Sequence, residues 1–268
     1  MARAEVRSAA RRAEASTIFE VLARGGYVAD GLVHILIGVF TVVVAFGGDG
    51  ATDQPGAFRA IAGAPLGFVV LWVAAIALAA LGVWEILDGV LVPRGSRPRK
   101  WGARVTEWGK AAVFLALATI AAAVAIGARP DPDESVQDAS RGLLDVPGGP
   151  WVLGLIGAGI GVSGIVFGII GIRRRFLEGF TLPEGRAGIT VTGLAVAGYV
   201  AKGVALVTVG VLLVVASVKT EADDAGGLDA ALDGLTTLSY GPAVCAAIGI
   251  GLIAYGVFLV LSARFRRL

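Results

Sequence analysis

The chain has 268 residues and a mass of 27.2 kDa; 56% are hydrophobic, 16% are charged, and the mean hydropathy is +0.80. That leaves too little polar surface for a water-soluble domain, and it excludes a disordered chain, a disulfide scaffold and a nucleic-acid-binding domain, so no nucleic-acid partner is expected. The net charge of +2 matters less than where the charges fall, because long apolar runs between charged loops belong to a multi-pass membrane protein.

Residues 1–25 carry Arg3, Arg7, Arg11, Arg12 and Arg24 among Ile18, Phe19, Val21 and Leu22. This pattern fits two readings, a cytoplasmic amphipathic helix on anionic lipid or a flexible cytoplasmic tail. The segment is too long and too charged for a signal peptide, so it is expected to be retained. The first span, Gly26 to Phe46, holds Asp30 and the chain's one histidine, His34, a helical turn apart on one face. The second, Gly67 to Val92, holds Glu85 and Asp88 on one face; the third, Thr106 to Ile126, holds Glu107 and Lys110. The fourth, Pro150 to Ile172, is rich in glycine at spacings that let helix backbones approach. The fifth, Ala187 to Val218, holds Lys202, and the sixth, Gly241 to Ala263, holds the single cysteine, Cys245. Period-two alternation is absent, so the spans are expected to be helices rather than barrel strands.

Basic residues alternate from side to side. Seventeen lie before the first span, in the second and fourth connections and in the tail; the other three connections hold only Arg59, Arg129, Arg141 and Lys219, against twelve acids. By the positive-inside rule both termini are expected to face the cytoplasm and the acidic loops to face out.

Gly67, Gly149 and Gly241 each open an even-numbered span, and each is followed fifteen residues later by Gly82, Gly164 or Gly256. In the odd spans Gly26-Tyr27-Val28-Ala29-Asp30-Gly31 recurs as Gly198-Tyr199-Val200-Ala201-Lys202-Gly203, with Gly109-Lys110-Ala111 in the matching place. Asp30, Lys110 and Lys202 are therefore equivalent. The chain reads as an amphipathic segment (1–25), three two-helix repeats (26–92, 93–172 and 173–263, the last two with basic entry loops) and a basic tail (264–268). Parallel repeats predict an all-α pseudo-threefold bundle of six helices, with a short amphipathic helix in each outer loop.

The run Ala23-Arg24-Gly25-Gly26-Tyr27-Val28-Ala29-Asp30-Gly31, with Gln54-Pro55-Gly56-Ala57-Phe58-Arg59 and Pro65-Leu66-Gly67 before Leu71-Trp72, resembles domain-of-unknown-function family 1206. The resemblance implies a bacterial membrane protein with the two-helix unit in triplicate, and no particular activity.

Charges inside spans are costly and usually face a bundle interior or a hydrated cavity. Asp30, His34, Glu85, Asp88, Lys110 and Lys202 all fall in the inner half of the membrane and form the candidate polar cluster or permeation site. Two readings follow. One is a small channel or transporter whose inner vestibule takes an ion or proton; the other is a non-catalytic structural or accessory protein that binds lipid, a membrane protein partner or a second copy of itself. No enzyme is expected: Gly161-Val162-Ser163-Gly164 has the look of an intramembrane protease motif, but no histidine on a later span can serve Ser163. No cofactor is expected, and one histidine and one cysteine on different spans make no transition-metal site.

Overall fold

The computed structural model describes residues 17–48, 50, 52–91, 97–179 and 185–265. Among them every regular element is helical: α1 (Thr17–Ala45), α2 (Gln54–Ala62), α3 (Gly67–Leu91), α4 (Arg97–Ala125), α5 (Pro132–Leu144), α6 (Gly149–Ile172), α7 (Arg186–Lys219), α8 (Leu228–Thr236) and α9 (Gly241–Phe265), with two short 3₁₀ turns. Six of them, α1, α3, α4, α6, α7 and α9, are long and apolar enough to cross a membrane. A short helix fills each of the three loops that the charge asymmetry assigns to the outer side. Arg3, Arg7, Arg11, Arg12, Arg94, Arg266 and Arg267, which carry part of the orientation argument, lie outside the described residues, as does most of the 1–25 segment.

Two spans run longer than their apolar cores suggest. Helix α4 begins at Arg97, so Arg97, Arg99, Lys100 and Arg104 ride on a helical extension ahead of the apolar stretch. Helix α7 has 34 residues, about 50 Å at the helical rise, and so exceeds a hydrocarbon core of about 30 Å.

The repeated glycines at 67, 149 and 241 have a local cause. Each opens a span directly after the turn that ends an outer helix, and a Cβ there would collide with the carbonyl of Ile61, Leu143 or Leu235, respectively. Only glycine lets the chain turn back that tightly. At the other end of α5, Pro132 supplies a pre-set first helical residue, and Asp131 caps the helix by accepting from the backbone N–H groups of Asp133 and Glu134 at 3.0 and 3.2 Å.

The described chain forms two compact units, one of residues up to 30, 58–129 and from 262 onward, the other of 31–57 and 130–261. Hydrocarbon is as apolar as leucine, so helix association in lipid depends on close packing rather than on apolar burial. In the first unit, α3 packs on α4 where Gly82 meets Leu115 and the Ala111 carbonyl, and where Gly89 receives the Trp108 indole. In the second, α6 packs on α7 through Gly157 against Gly210 and Gly164 against Gly203, while Gly171 meets Tyr199. The same unit joins α1 to α9 through Gly31 against Gly256 and Gly38 against Gly249.

These three interfaces occupy equivalent positions. In each, the second helix of one repeat meets the first helix of the next, the third repeat meeting the first. In the α6–α7 and α1–α9 pairs glycines recur every seven positions, two helical turns, on both partners and form one continuous seam, whereas Gly82 and Gly89 of α3 receive the larger Leu115 and Trp108 of α4. Contacts inside a repeat are also built on glycine: a Cβ on Gly26 would lie 2.6 Å from the Leu81 Cβ, and one on Gly198 would lie 2.5 Å from the Tyr255 backbone. Other faces remain apolar and open, as at Trp151, Leu155 and Ile165 of α6, where lipid rather than water is the fitting neighbour.

Candidate functional site

In the first unit, Glu85 is completely buried on α3. Tyr27 of α1 donates its hydroxyl to Glu85 Oε1 at 2.9 Å, and Lys110 of α4 donates from Nζ to Oε2 at 3.4 Å. The Lys110 ammonium also donates to Glu107 one turn earlier on its own helix, in a still shorter contact. The Lys110 side chain is 39% exposed and that of Glu107 is 23% exposed, so this ion pair leads from an open edge to a sealed carboxylate. Asp88 lies one turn after Glu85, and carboxylate oxygens of Glu85, Asp88 and Glu107 come within 4.8 Å of one another. Such oxygens are hard-cation ligands in kind, but the Lys110 ammonium already supplies a cation to two of them. The Tyr27 ring also meets Phe114 edge-on at 6.2 Å. Asp30, three residues beyond Tyr27, is buried at 4% exposure.

The second unit holds the other basic pair. Lys202 Nζ lies 3.1 Å from His34 Nε2. An ammonium can only donate, so Nε2 accepts and the ring hydrogen sits on Nδ1. The same ammonium lies 4.6 Å from the centroid of the Tyr255 ring and 5.5 Å from that of Phe167, a two-sided cation–π cradle. Tyr255 also meets His34 edge-on at 5.0 Å, and Tyr199 stacks on Phe176 at 5.2 Å. Glycine spacing makes this feasible, since Gly198 and Gly203 bring α9 and α6 close to the face of α7 that carries Lys202.

The two arrangements are versions of one position. Lys110 and Lys202 are equivalent, and so are Glu85 and Phe167, each fifteen-residue glycine mark being followed three residues later by one of them. One repeat junction thus answers its lysine with a carboxylate and the next answers it with an aromatic face. Lys110 stands with Glu85, Asp88 and Glu107 in one unit, and His34 stands with Lys202 in the other. Charge scanning passes over Tyr27, Tyr255 and Phe167, because aromatic side chains in an apolar run carry no mark of their own; the repeat alignment is the signal that finds them.

The fold carries the same two-helix unit three times, and the sequence pattern of the family described as Domain of Unknown Function (DUF1206) matches at residues 25–91, 108–174 and 197–266. The chain belongs to the DUF1206 family. A relative, the uncharacterized protein YxxB of Bacillus subtilis (strain 168), is 29% identical over 249 residues, covering 91% of this chain and 90% of its own. No solved structure matches the chain significantly. The three DUF1206 matches each contain one equivalent charge, Asp30, Lys110 or Lys202. Ser163 of the protease-like motif donates its hydroxyl to the Gly159 carbonyl on its own helix at 2.8 Å.

Outside the spans, the second unit carries a polar network among its outer loops. Asp133 accepts from the backbone N–H of Gly227 at 2.5 Å and of Ala230 at 3.2 Å, holding the start of α8. Asp229 of α8 accepts from the Thr52 backbone N–H at 2.9 Å and hydroxyl at 2.5 Å. All three outer loops are linked in this way. Burial pushes the Asp133 carboxyl above its ordinary value, outweighing its backbone hydrogen bonds, with the Asp229 charge adding to the rise. Asp233 is raised too, by burial first and then by Asp229 and Asp133.

Proposed function

We propose that this integral membrane protein is a small non-enzymatic channel or transporter of a bacterial cytoplasmic membrane, with both termini in the cytoplasm and the charged cluster lining an inner vestibule. The observation that carries this reading is the Glu107–Lys110–Glu85 series, which runs from a partly exposed carboxylate to a fully buried one. Buried charge is costly in a membrane, and its usual setting is an ion or proton pathway. The test is flux. The purified protein is reconstituted in liposomes carrying pH- and ion-sensitive dyes, and a gradient of protons, sodium, potassium or chloride is applied. The proposal expects flux with at least one of them, reduced severalfold in Glu85→Gln and Lys110→Met. Wild-type protein that folds and passes none of them would overturn it.

A second reading, a non-catalytic accessory protein that binds lipid, a protein partner or its own copy, has an observation in its favour. The seams bring backbones as close as glycine allows, and Lys110 and Lys202 each find partners within the protein. In that case the charges fix helix register rather than guide an ion.

A further inference from the structure

We infer that the Arg173-Arg174-Arg175 turn at the end of α6 binds the phosphate of an anionic phospholipid whose acyl chain lies along the open face of that helix. The site holds under either reading of function, since it needs only that α6 spans the bilayer.

Helix α6 has 24 residues, about 36 Å, slightly more than a hydrocarbon core of about 30 Å. Its end therefore falls at the depth of the lipid phosphates, and there the chain carries its one run of three consecutive basic residues. All three arginines are exposed. From 173 to 186 the connection sets four arginines against Glu178 and Glu184, a net charge of +2, with three of the four arginines at the α6 end.

The turn is anchored. Arg173 donates its backbone N–H to the Ile169 carbonyl at 2.9 Å, and Arg174 donates to that of Gly171 at 3.1 Å. Directly after the arginines comes Phe176, which is buried, stacks on Tyr199 of α7 at 5.2 Å and meets Phe258 of α9 edge-on at 5.5 Å. Arg174 itself has a φ of 54°, the left-handed region that a helix end usually gives to glycine. Glycine would stop α6 there without strain, so the helix stop does not account for the arginine. A guanidinium has a use at this depth, because its planar fork donates paired hydrogen bonds to phosphate oxygens.

The apolar half of the ligand has a place too. Arg173 keeps helical backbone angles, and Val162, Val166, Ile169 and Arg173, spaced by four, three and four residues, share one exposed face of α6. That row is distinct from the one that packs on α7, at Gly157, Gly164 and Gly171. An acyl chain descending from a phosphate at Arg173 runs along it. A zwitterionic headgroup would bring its own cation to three arginines, so charge selects an anionic one.

The experiment is native mass spectrometry of the delipidated full-length protein, offered phosphatidylglycerol and phosphatidylcholine with the same acyl chains in equal amounts, reading the lipid retained by the folded protein. The expected result is a severalfold preference for phosphatidylglycerol that falls to near parity in Arg173→Gln/Arg174→Gln/Arg175→Gln. If the triple variant does not fold, Arg174→Gly, which relieves the left-handed residue while removing its charge, takes its place and should lower the preference. Arg264→Gln, which removes an exposed arginine near the end of α9, should leave it intact. No preference in the wild type, a preference that survives loss of the α6 arginines, or an equal loss in Arg264→Gln overturns the inference. Displacement of the retained lipid by excess soluble glycerol phosphate would also overturn it, by showing a site for a free anion in place of a lipid.

Discussion

Gly164 and Gly203 face each other across α6 and α7 so closely that a Cβ on Gly164 would lie 2.5 Å from the Gly203 carbonyl oxygen, and one on Gly203 would lie 2.6 Å from that of Gly164. Neither distance is open to a side chain, and the atoms in the way are backbone. Gly164→Ala and Gly203→Ala should each destabilise the protein by about 1 to 3 kcal/mol, the usual cost of overpacking. Gly159→Ala, on the same helix with nothing within 4 Å, should leave it unchanged. Thermal unfolding in detergent decides between them, and equal losses at positions 159 and 164 would contradict the seam.

Removing Lys110 takes from Glu85 a cation 3.4 Å away while leaving the carboxylate fully buried. Lys110→Met should cost about 3 kcal/mol, at the low end for a broken buried pair because the lysine itself is 39% exposed. Adding Glu85→Gln should recover much of that loss. A double variant no more stable than the single one would show that the two groups are not energetically coupled.

His34 is the only histidine, so nitrogen NMR of histidine-labelled protein reads one ring. The 3.1 Å contact with Lys202 requires the hydrogen on Nδ1 and a lone pair on Nε2. Spectra should show that tautomer in the wild type and a change in the Nε2 signal in Lys202→Met. The opposite tautomer would rule out the contact.

The outer loops should respond to pH. Asp133 and Asp233 both have folded-state values raised above the ordinary carboxylate value, chiefly by burial. Between the ordinary value and the raised ones the folded form binds more protons than the unfolded form. Their contribution to stability is therefore fully present below the ordinary value and is lost as pH rises through the raised ones. Amide exchange at Gly227 and Ala230, corrected for intrinsic rates, should show more protection at the acid end of that interval than above it. Asp133→Asn combined with Asp233→Asn should flatten the profile, whereas protection that grows with pH would reverse the sign.

Side-specific labelling tests the orientation. With Cys245 replaced by alanine, a cysteine at Arg173 should react with a membrane-impermeant reagent only from the cytoplasmic side, and cysteines at Asp138 and Asp223 only from outside. Labelling of Asp138 from the cytoplasmic side would overturn it.

Much of the architecture was legible in the residues because a membrane imposes few solutions. Runs of apolar residues located all six spans, and the glycines at 67, 149 and 241 marked the repeat that the structure explains as a turn with no room for a Cβ. Two things were not legible. The seven-residue spacing of Gly157, Gly164 and Gly171 could be read as helix packing, but nothing in it says that the partner is the next repeat's Gly203 and Gly210 rather than a helix of the same hairpin. A glycine records closeness and leaves the neighbour unnamed. Likewise the charges could be counted, yet Lys202 settles between aromatic rings and a histidine while Lys110 settles between carboxylates, because the facing position is Phe167 in one junction and Glu85 in the other.

The contact of α1 with α9 bears on how the chain is made. Ribosomes deliver helices to the membrane in order, and Gly31 and Gly38 of the first helix find their partners, Gly256 and Gly249, only in the last. The small-residue flank of α1 must therefore wait in the bilayer until α9 has been made. A chain cut short before α9 lacks this closing pair, whatever its earlier helices have already formed among themselves.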